Sequence, residues 1–562
     1  MIASLGELET GVRKRLTRIA DDKVIERIWG GDAGLWKSEA THQEIIANSL
    51  GWLTVTDWMA PRLAEVETFA SEICASGEFT HVLLCGMGGS SLCPEVFRRT
   101  FGTIDGAPRL AVLDTTDPEG LDLVARQIDP ARTLFVVASK SGTTTEPLAF
   151  YKYWYEETRK VRDDPGHAWV AITDPGTKMV EMAEADGFRK IFLNTPDIGG
   201  RYSALSLFGM VPAALMGLDA SRLQERAAAM ARRCSAATPS PDNPGAFLGA
   251  ILGEAAWAGR DKLTIVADPK IESLGLWIEQ LVAESTGKED KGIVPVVGEP
   301  LDDLRDYGSD RLFVSIALGE LAPETASKLD ALEKAGHPVV RLTMQDEYDL
   351  GAAFFRWELA TAVAGWVLGI NPFDQPNVQE SKDATREILQ AYESAGVFEE
   401  QTVLARENDL TIFGAGESEE GEADLVMKQF LGSVQVGDYI AFLDYIEETP
   451  EVEKKLQKIR TYLRASRRCA TTTGYGPRFL HSTGQLHKGG ADNGVFIQIT
   501  APDHLDQPIP GWGCGFSVLK QAQSLGDFRS LTSRGRRAIR VDLGKDVVKG
   551  LDQLYMLIAS VA

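Results

Sequence analysis

Short apolar runs recur along this chain, each closed by turn residues and followed by a helical pattern. The first series lies at 81–85, 110–113, 133–138, 169–172 and 191–193. Runs of that length are strands buried on both faces, and their alternation with helices is the signature of a parallel sheet. The segment around 220–245 ends in a Ser/Pro/Asn-rich break, after which a second series begins at 263–266, 312–316 and 339–342. It runs through a helix apolar around most of its circumference, AAFFRWELATAVAGWVLG, into N-P-F-D-Q-P at 371–376. Strand-like runs return at 410–413, 439–443, 469–473, 495–500 and 538–543. Ahead of them all, Val12, Leu16, Ile19, Val24 and Ile28 form stripes at helical spacing. The expected fold is α/β. It has an N-terminal helical region (1–75), two doubly wound parallel-sheet domains (76–225 and 226–395) and a third α/β unit (396–562).

At 562 residues the chain has room for these units, and a net charge of −23 disfavours a dedicated nucleic-acid binder. No stretch approaches the roughly eighteen apolar residues of a membrane span, and the charged start lacks a signal-peptide core. Six scattered cysteines form no C-x-x-C pair, which argues against a disulfide framework or structural zinc and suits a cytoplasmic protein. The acidic run at 416–424 reads as a solvated loop.

Two turns following early strands are suited to an anionic ligand. In C-G-M-G-G-S-S, Gly86, Gly88 and Gly89 let backbone approach a ligand, with Ser90 beside them. A dinucleotide turn would need Gly or Ala where Ser91 stands, so a nicotinamide cofactor is disfavoured. About fifty residues on, Ser139, Ser141, Thr143, Thr144 and Thr145 gather beside Lys140 and Gly142 at a helix entry. Hydroxyls, an ammonium and free helix N–H groups suit a phosphate monoester, although a cluster that merely caps the helix has the same composition. On consecutive strands both turns would reach the carboxyl edge of one sheet, where open α/β folds bind ligands. In I-E-S-L-G-L-W-I-E-Q-L-V-A-E-S-T-G-K the apolar stripe and Gly287 place Glu284 in the last turn of a helix, with Gln280 on the same face. The negative end of the helix dipole disfavours a carboxylate there, which suits a working base.

Five motifs in order carry a resemblance: G-M-G-G-S at 86–90, S-K-S-G-T-T at 139–144, G-G-R-Y-S at 199–203, E-S-T-G-K at 284–288 and N-P-F-D-Q-P at 371–376. Together the motifs resemble phosphoglucose isomerase, a family of two sugar-isomerase (SIS) subdomains, over roughly residues 76–385. The C-terminal part resembles the isomerase portion of bacterial transaldolase–phosphoglucose isomerase fusion proteins. The resemblance implies reversible isomerisation of glucose 6-phosphate and fructose 6-phosphate through a cis-enediolate, without metal or organic cofactor. It implies Glu284 as the base and Arg201 as the stabiliser of enediolate charge. Gly89, Ser90, Ser139, Lys140, Ser141, Thr143 and Thr144 would hold the phosphate.

Ring opening in the family uses a histidine between the E-S-x-G-K and N-x-F-D-Q motifs. The only histidine there is His337, which reads as a structural turn residue. A family-like context occurs downstream, in R-F-L-H-S-T-G-Q-L-H-K-G-G at 478–490, and makes His481 the expected residue with His487 as competitor. A zinc pair of these two lacks further ligands at suitable spacing. An assisting lysine is expected at Lys382, with Lys520 as competitor. Family members are usually dimers whose histidine crosses between subunits, so a homodimer is one expectation, and delivery of His481 within one chain is the other. An isomerase acting also on mannose 6-phosphate, and a non-catalytic SIS-type sugar-phosphate regulator, are the competing functions.

Overall fold

The computed structural model describes residues 1–416 and 419–562. Two residues of the acidic run, Glu417 and Ser418, lie outside the described residues.

The expected α/β architecture is the one found. The first sheet is all parallel, in the order Arg109–Leu113, His81–Cys85, Thr133–Ala138, Trp169–Thr173, Lys190–Leu193. In chain order this is the doubly wound arrangement 2-1-3-4-5, whose topological switch falls between the strands His81–Cys85 and Thr133–Ala138. The strand Thr133–Ala138 is buried along its whole length, as Val/Phe/Ala residues facing helices on both sides require. The second sheet repeats the pattern with Val294–Val296, Lys262–Ala267, Arg311–Leu318 and Val339–Met344. The third does so again with Ala470–Tyr475, Tyr439–Tyr445, Gly494–Thr500 and Arg537–Asp542. An antiparallel ribbon, Thr402–Glu407 and Leu410–Gly414, extends its far edge.

The N-terminal region departs from the all-helical expectation. Ile2–Ser4 is a strand, paired antiparallel with Val339–Met344 at the edge of the second sheet. Three residues are too few for either periodicity to show, and the pairing partner lies over three hundred residues away. The helices that follow pack on the two SIS-like sheets within one continuous core, which also takes in the buried helix Leu350–Leu368. The third unit has a core of its own. A further shared core, in which Ala283, Val294 and Val296 meet Tyr439, Ala441 and Phe479, joins it to the second sheet. That junction brings the segment after Ala470–Tyr475 against the helix Leu274–Thr286.

Candidate active site

Five separate segments meet at the end of the helix Leu274–Thr286. Its apolar positions Trp277, Ile278, Leu281 and Val282 are buried, which leaves Gln280 and Glu284 on another face, one turn apart. Gln280 Nε2 donates to Glu284 Oε2 at 3.2 Å and to the His481 carbonyl at 2.8 Å. Glu284 is buried, with its Oε1 3.1 Å from Arg201 Nη1. A buried carboxylate needs such a counter-charge, and the Gln280 bond fixes its direction.

Arg201 is held on every side. Its Nε donates to Ser285 Oγ (2.7 Å), Nη1 to Gln375 Oε1 (3.0 Å), and Nη2 to the carbonyls of Pro372 (2.8 Å) and Asp374 (3.0 Å). The N-P-F-D-Q-P motif is therefore the mould for the guanidinium plane. Asp374 is held in turn by Lys288, whose Nζ lies 2.8 Å from its carboxylate, and by His42 from the N-terminal region at 3.2 Å. Burial, with Arg201 nearby, pulls the Lys288 ammonium down to about 8.

The glycine turn packs against two of the other segments. Gly88 has φ +53, and a Cβ there would stand 2.8 Å from Gln280 Nε2 and 3.0 Å from the His481 carbonyl. Gly89 lies so close to Gly200 that a Cβ would overlap its carbonyl, so it serves contact with the G-G-R-Y-S turn. Gly287 ends the helix without a positive φ; there a Cβ would strike Leu486 of the third unit at 2.3 Å. The glycines of two motifs are thus points of close approach between segments.

The hydroxyl turn lies across the switch point. Ser139 Oγ donates to Thr144 Oγ1 (3.1 Å), and Ser141 and Thr143 hydroxyls are 3.0 Å apart. The Lys140 ammonium is held by Asp174 (2.5 Å) and the Pro196 carbonyl (2.9 Å), so the cradle itself consists of hydroxyls and the N-terminus of the helix Thr145–Arg159. Ser90 is buried at the facing turn, and its hydroxyl takes no hydrogen bond from the described residues.

His481 arrives from the third unit, just beyond the carboxyl end of Ala470–Tyr475. Its Nε2 lies 3.0 Å from Glu146 Oε1 in the first turn of the helix Thr145–Arg159. Glu146 is buried and also accepts from Gln523 Nε2 at 2.7 Å, while Gln523 Oε1 accepts from Thr116. Burial pushes the Glu146 carboxyl up, but the charge and hydrogen bond of His481, with a contribution from Lys382, outweigh it and hold it below the usual carboxylate range. Sequence reasoning missed Glu146. Its only signal was its place directly after the hydroxyl cluster, in S-K-S-G-T-T-T-E.

Lys382 is exposed on the helix Val378–Ala395, close enough for its charge to act on Glu146. Lys520 is buried, bonded to Asp117 at 2.7 Å and to Asp503. With Glu119, those two carboxylates are the one acidic cluster among the described residues compact enough for a cation, and the Lys520 ammonium already sits on it. His487 packs among Tyr439, Phe479 and Phe496, and burial lowers its basicity well below that of a free imidazole. His337 lies edge-on to Phe313 at 5.4 Å, beside the second sheet.

A doubly wound sheet with a hydroxyl cradle at its switch point, facing a buried Glu–Arg pair, defines an α/β protein that takes a small phosphorylated ligand. Comparison with known proteins agrees. A family model described as phosphoglucose isomerase matches residues 54–294, which include Glu284 and Arg201 but not His481 or Lys382. The chain is 30% identical to a glucose-6-phosphate isomerase of a Cyanothece species, over 57% of this chain and 69% of that protein. It is 31% identical to one of Rubrobacter xylanophilus, over 55% of this chain and 81% of that protein. A glucose-6-phosphate isomerase structure from Chlamydia trachomatis shares the fold, with TM-score 0.52 and 19% identity over 66% of this chain and 79% of the other. The chain belongs to the phosphoglucose isomerase family.

Proposed function

We propose that the chain is a glucose-6-phosphate isomerase, interconverting glucose 6-phosphate and fructose 6-phosphate. The observation that carries this is the buried Glu284 held against Arg201 at 3.1 Å, reached from the same switch point as the hydroxyl cradle. A phosphate on Ser139, Ser141, Thr143 and Thr144, with Ser90 opposite, anchors the far end of the sugar. The hydroxyls and the helix N-terminus supply the donors that a phosphate monoester needs.

His481, with Glu146 behind it, moves the proton that opens the ring, and Lys382 adds positive charge at that end. Once the aldehyde is free, C2–H is acidified by the adjacent carbonyl. Glu284 removes that proton, negative charge develops on the enediolate oxygens, and Arg201 stabilises it from a mould already formed. The proton then returns to C1. No step calls for a metal or organic cofactor.

Residues 396–562 act here as the unit that delivers the ring-opening histidine, and it is this part that resembles the isomerase portion of bacterial transaldolase–phosphoglucose isomerase fusion proteins. Because His481 reaches Glu146 within one chain, a homodimer is not required to complete the site. The test is to supply fructose 6-phosphate and couple any glucose 6-phosphate formed to NADPH production. Turnover supports the reading. Binding of fructose 6-phosphate without turnover would favour a non-catalytic regulator, and equal turnover of mannose 6-phosphate would favour an isomerase of both sugars.

A further inference from the structure

The helix Phe516–Ser533 of the third unit reaches across to the first. Its residues Lys520 and Gln523, one turn apart, meet the turn that follows the strand Arg109–Leu113. Lys520 Nζ bonds the Asp117 carboxylate at 2.7 Å, and Gln523 Oε1 accepts from the Thr116 hydroxyl at 2.7 Å. Both Thr116 and Gln523 are buried. Within its own unit the helix is held by Gln498, whose Nε2 donates to the Ser524 carbonyl at 2.9 Å. Phe516, two turns ahead of Gln523, stacks on Phe150 with ring centres 6.1 Å apart. Phe150 stands one turn beyond Glu146 on the helix Thr145–Arg159. Gln523 is therefore a fixed point on the boundary between the two units.

That fixed point bears on one atom. Glu146 Oε1 accepts from Gln523 Nε2 at 2.7 Å and lies 3.0 Å from His481 Nε2. Burial disfavours charge on Glu146, but His481 outweighs it, so the carboxylate is ionised and can only accept. The amide must then turn its NH2 to Glu146 and its oxygen to Thr116, whose hydroxyl donates. By the same rule His481 carries a hydrogen on Nε2, which leaves Nδ1 as the nitrogen that can exchange a proton with a bound sugar.

Glutamate and histidine side chains both rotate freely when unrestrained, and a hydrogen bond between two such groups sets their separation but not their place in the protein. Gln523 supplies the reference. We infer that Gln523 is a positioning residue for ring opening: it holds Glu146 Oε1 where the His481 imidazole lines up for proton transfer, and Thr116 anchors its amide across the unit boundary. The third unit thus brings both side-chain donors, imidazole and amide, and the first unit brings the carboxylate that they share. Among the described residues the Gln523 side chain bonds Thr116 and Glu146, and not the hydroxyl cradle or the Glu284–Arg201 pair. Its loss should be felt at ring opening and not at C2. For its effect on turnover the inference rests on the isomerase reading; for its effect on the imidazole it does not.

The test uses the full chain with isotope-labelled histidine and reads turnover and, by NMR, the imidazole nitrogens side by side. His481→Asn assigns the His481 signals. Gln523→Met keeps the length of the side chain and removes both bonds. It is expected to lower kcat on glucose 6-phosphate ~10- to 100-fold with KM changed less than about three-fold, as befits a proton-transfer step. Turnover of a four-carbon aldose phosphate, which cannot close a six-membered ring, should fall less than about three-fold. A merely structural role would lower both substrates alike. The His481 nitrogen signals should shift or broaden while those of His487 stay. Thr116→Val keeps the shape and loosens only the anchor, so the same pattern is expected at ~3- to 10-fold, and it decides the matter if Gln523→Met folds poorly. Equal losses on both substrates, no loss on glucose 6-phosphate, or unchanged His481 signals in the folded variants would each overturn the inference. If the unaltered chain turns over neither sugar phosphate, the isomerase reading fails, and the nitrogen signals alone decide whether Gln523 sets the pair.

Discussion

His481 Nε2 lies 3.0 Å from the Glu146 carboxylate, so two residues 335 positions apart form one acid–base unit. The carboxylate orients the imidazole. Glu146→Gln keeps the shape but not the charge, and is expected to lower turnover of cyclic sugar phosphates by ~10- to 1000-fold. A four-carbon aldose phosphate, too short to close a six-membered ring, should lose far less. Parallel kinetics on the two substrates checks this, and equal losses would place the pair in proton transfer at carbon instead.

Arg201 donates to four acceptors and faces Glu284 with the same plane. A lysine cannot reproduce that fork. Arg201→Lys is expected to lower kcat at least ~100-fold, with a smaller change in KM, because the charge it stabilises develops only in the transition state. Orphaned acceptors should also cost about 1–3 kcal/mol of stability each, seen as a lower denaturation midpoint.

Gly88 adopts φ +53 between Gln280 and His481. Gly88→Ala adds about 1–2 kcal/mol of backbone strain and a methyl group that must displace one neighbour or the other. Activity should fall well beyond the loss of stability, with the melting temperature only a few degrees lower. A variant as active as the parent would show that this contact is slack.

Glu279 supplies a pH prediction. Its carboxyl is raised by burial to about 8 in the folded chain, so between the unfolded value near 4.5 and pH 8 the native state binds the extra proton. Stability from this group is therefore full at pH 4.5 and below, and declines as pH rises to 8, by up to about 1.4 kcal/mol per pH unit. Glu279→Gln should melt close to the parent at pH 5 and above it at pH 8, by scanning fluorimetry. A constant difference across that range would contradict the assignment.

The strands of the first SIS-like sheet were legible because each is a short run of apolar residues closed by turn residues. Thr133–Ala138 is the clearest case. Val294–Val296 was not, since three residues interrupted by Pro295 show no period. The two ligand turns could be placed on one sheet edge from strand order alone. Their convergence with Glu284 could not, because it depends on how the helix Leu274–Thr286 packs against the glycine turn at Gly88 and the turn that carries Arg201. Gln375, which helps hold the Arg201 plane, was part of a recognised motif whose purpose only the packing reveals. Glu146 escaped notice because a glutamate in the first turn of a helix is ordinary in itself; its burial and its histidine come from remote parts of the chain.

The central claim is that Glu284 carries the proton between C2 and C1. Glucose 6-phosphate deuterated at C2 should be isomerised in ordinary water with part of the label lost to solvent and part carried to C1. Glu284→Gln should slow both isomerisation and label loss at least ~1000-fold while still binding substrate. Label loss at the parental rate in Glu284→Gln would place the base elsewhere, and complete retention of deuterium at C1 by the unaltered protein would replace the enediolate with a hydride shift.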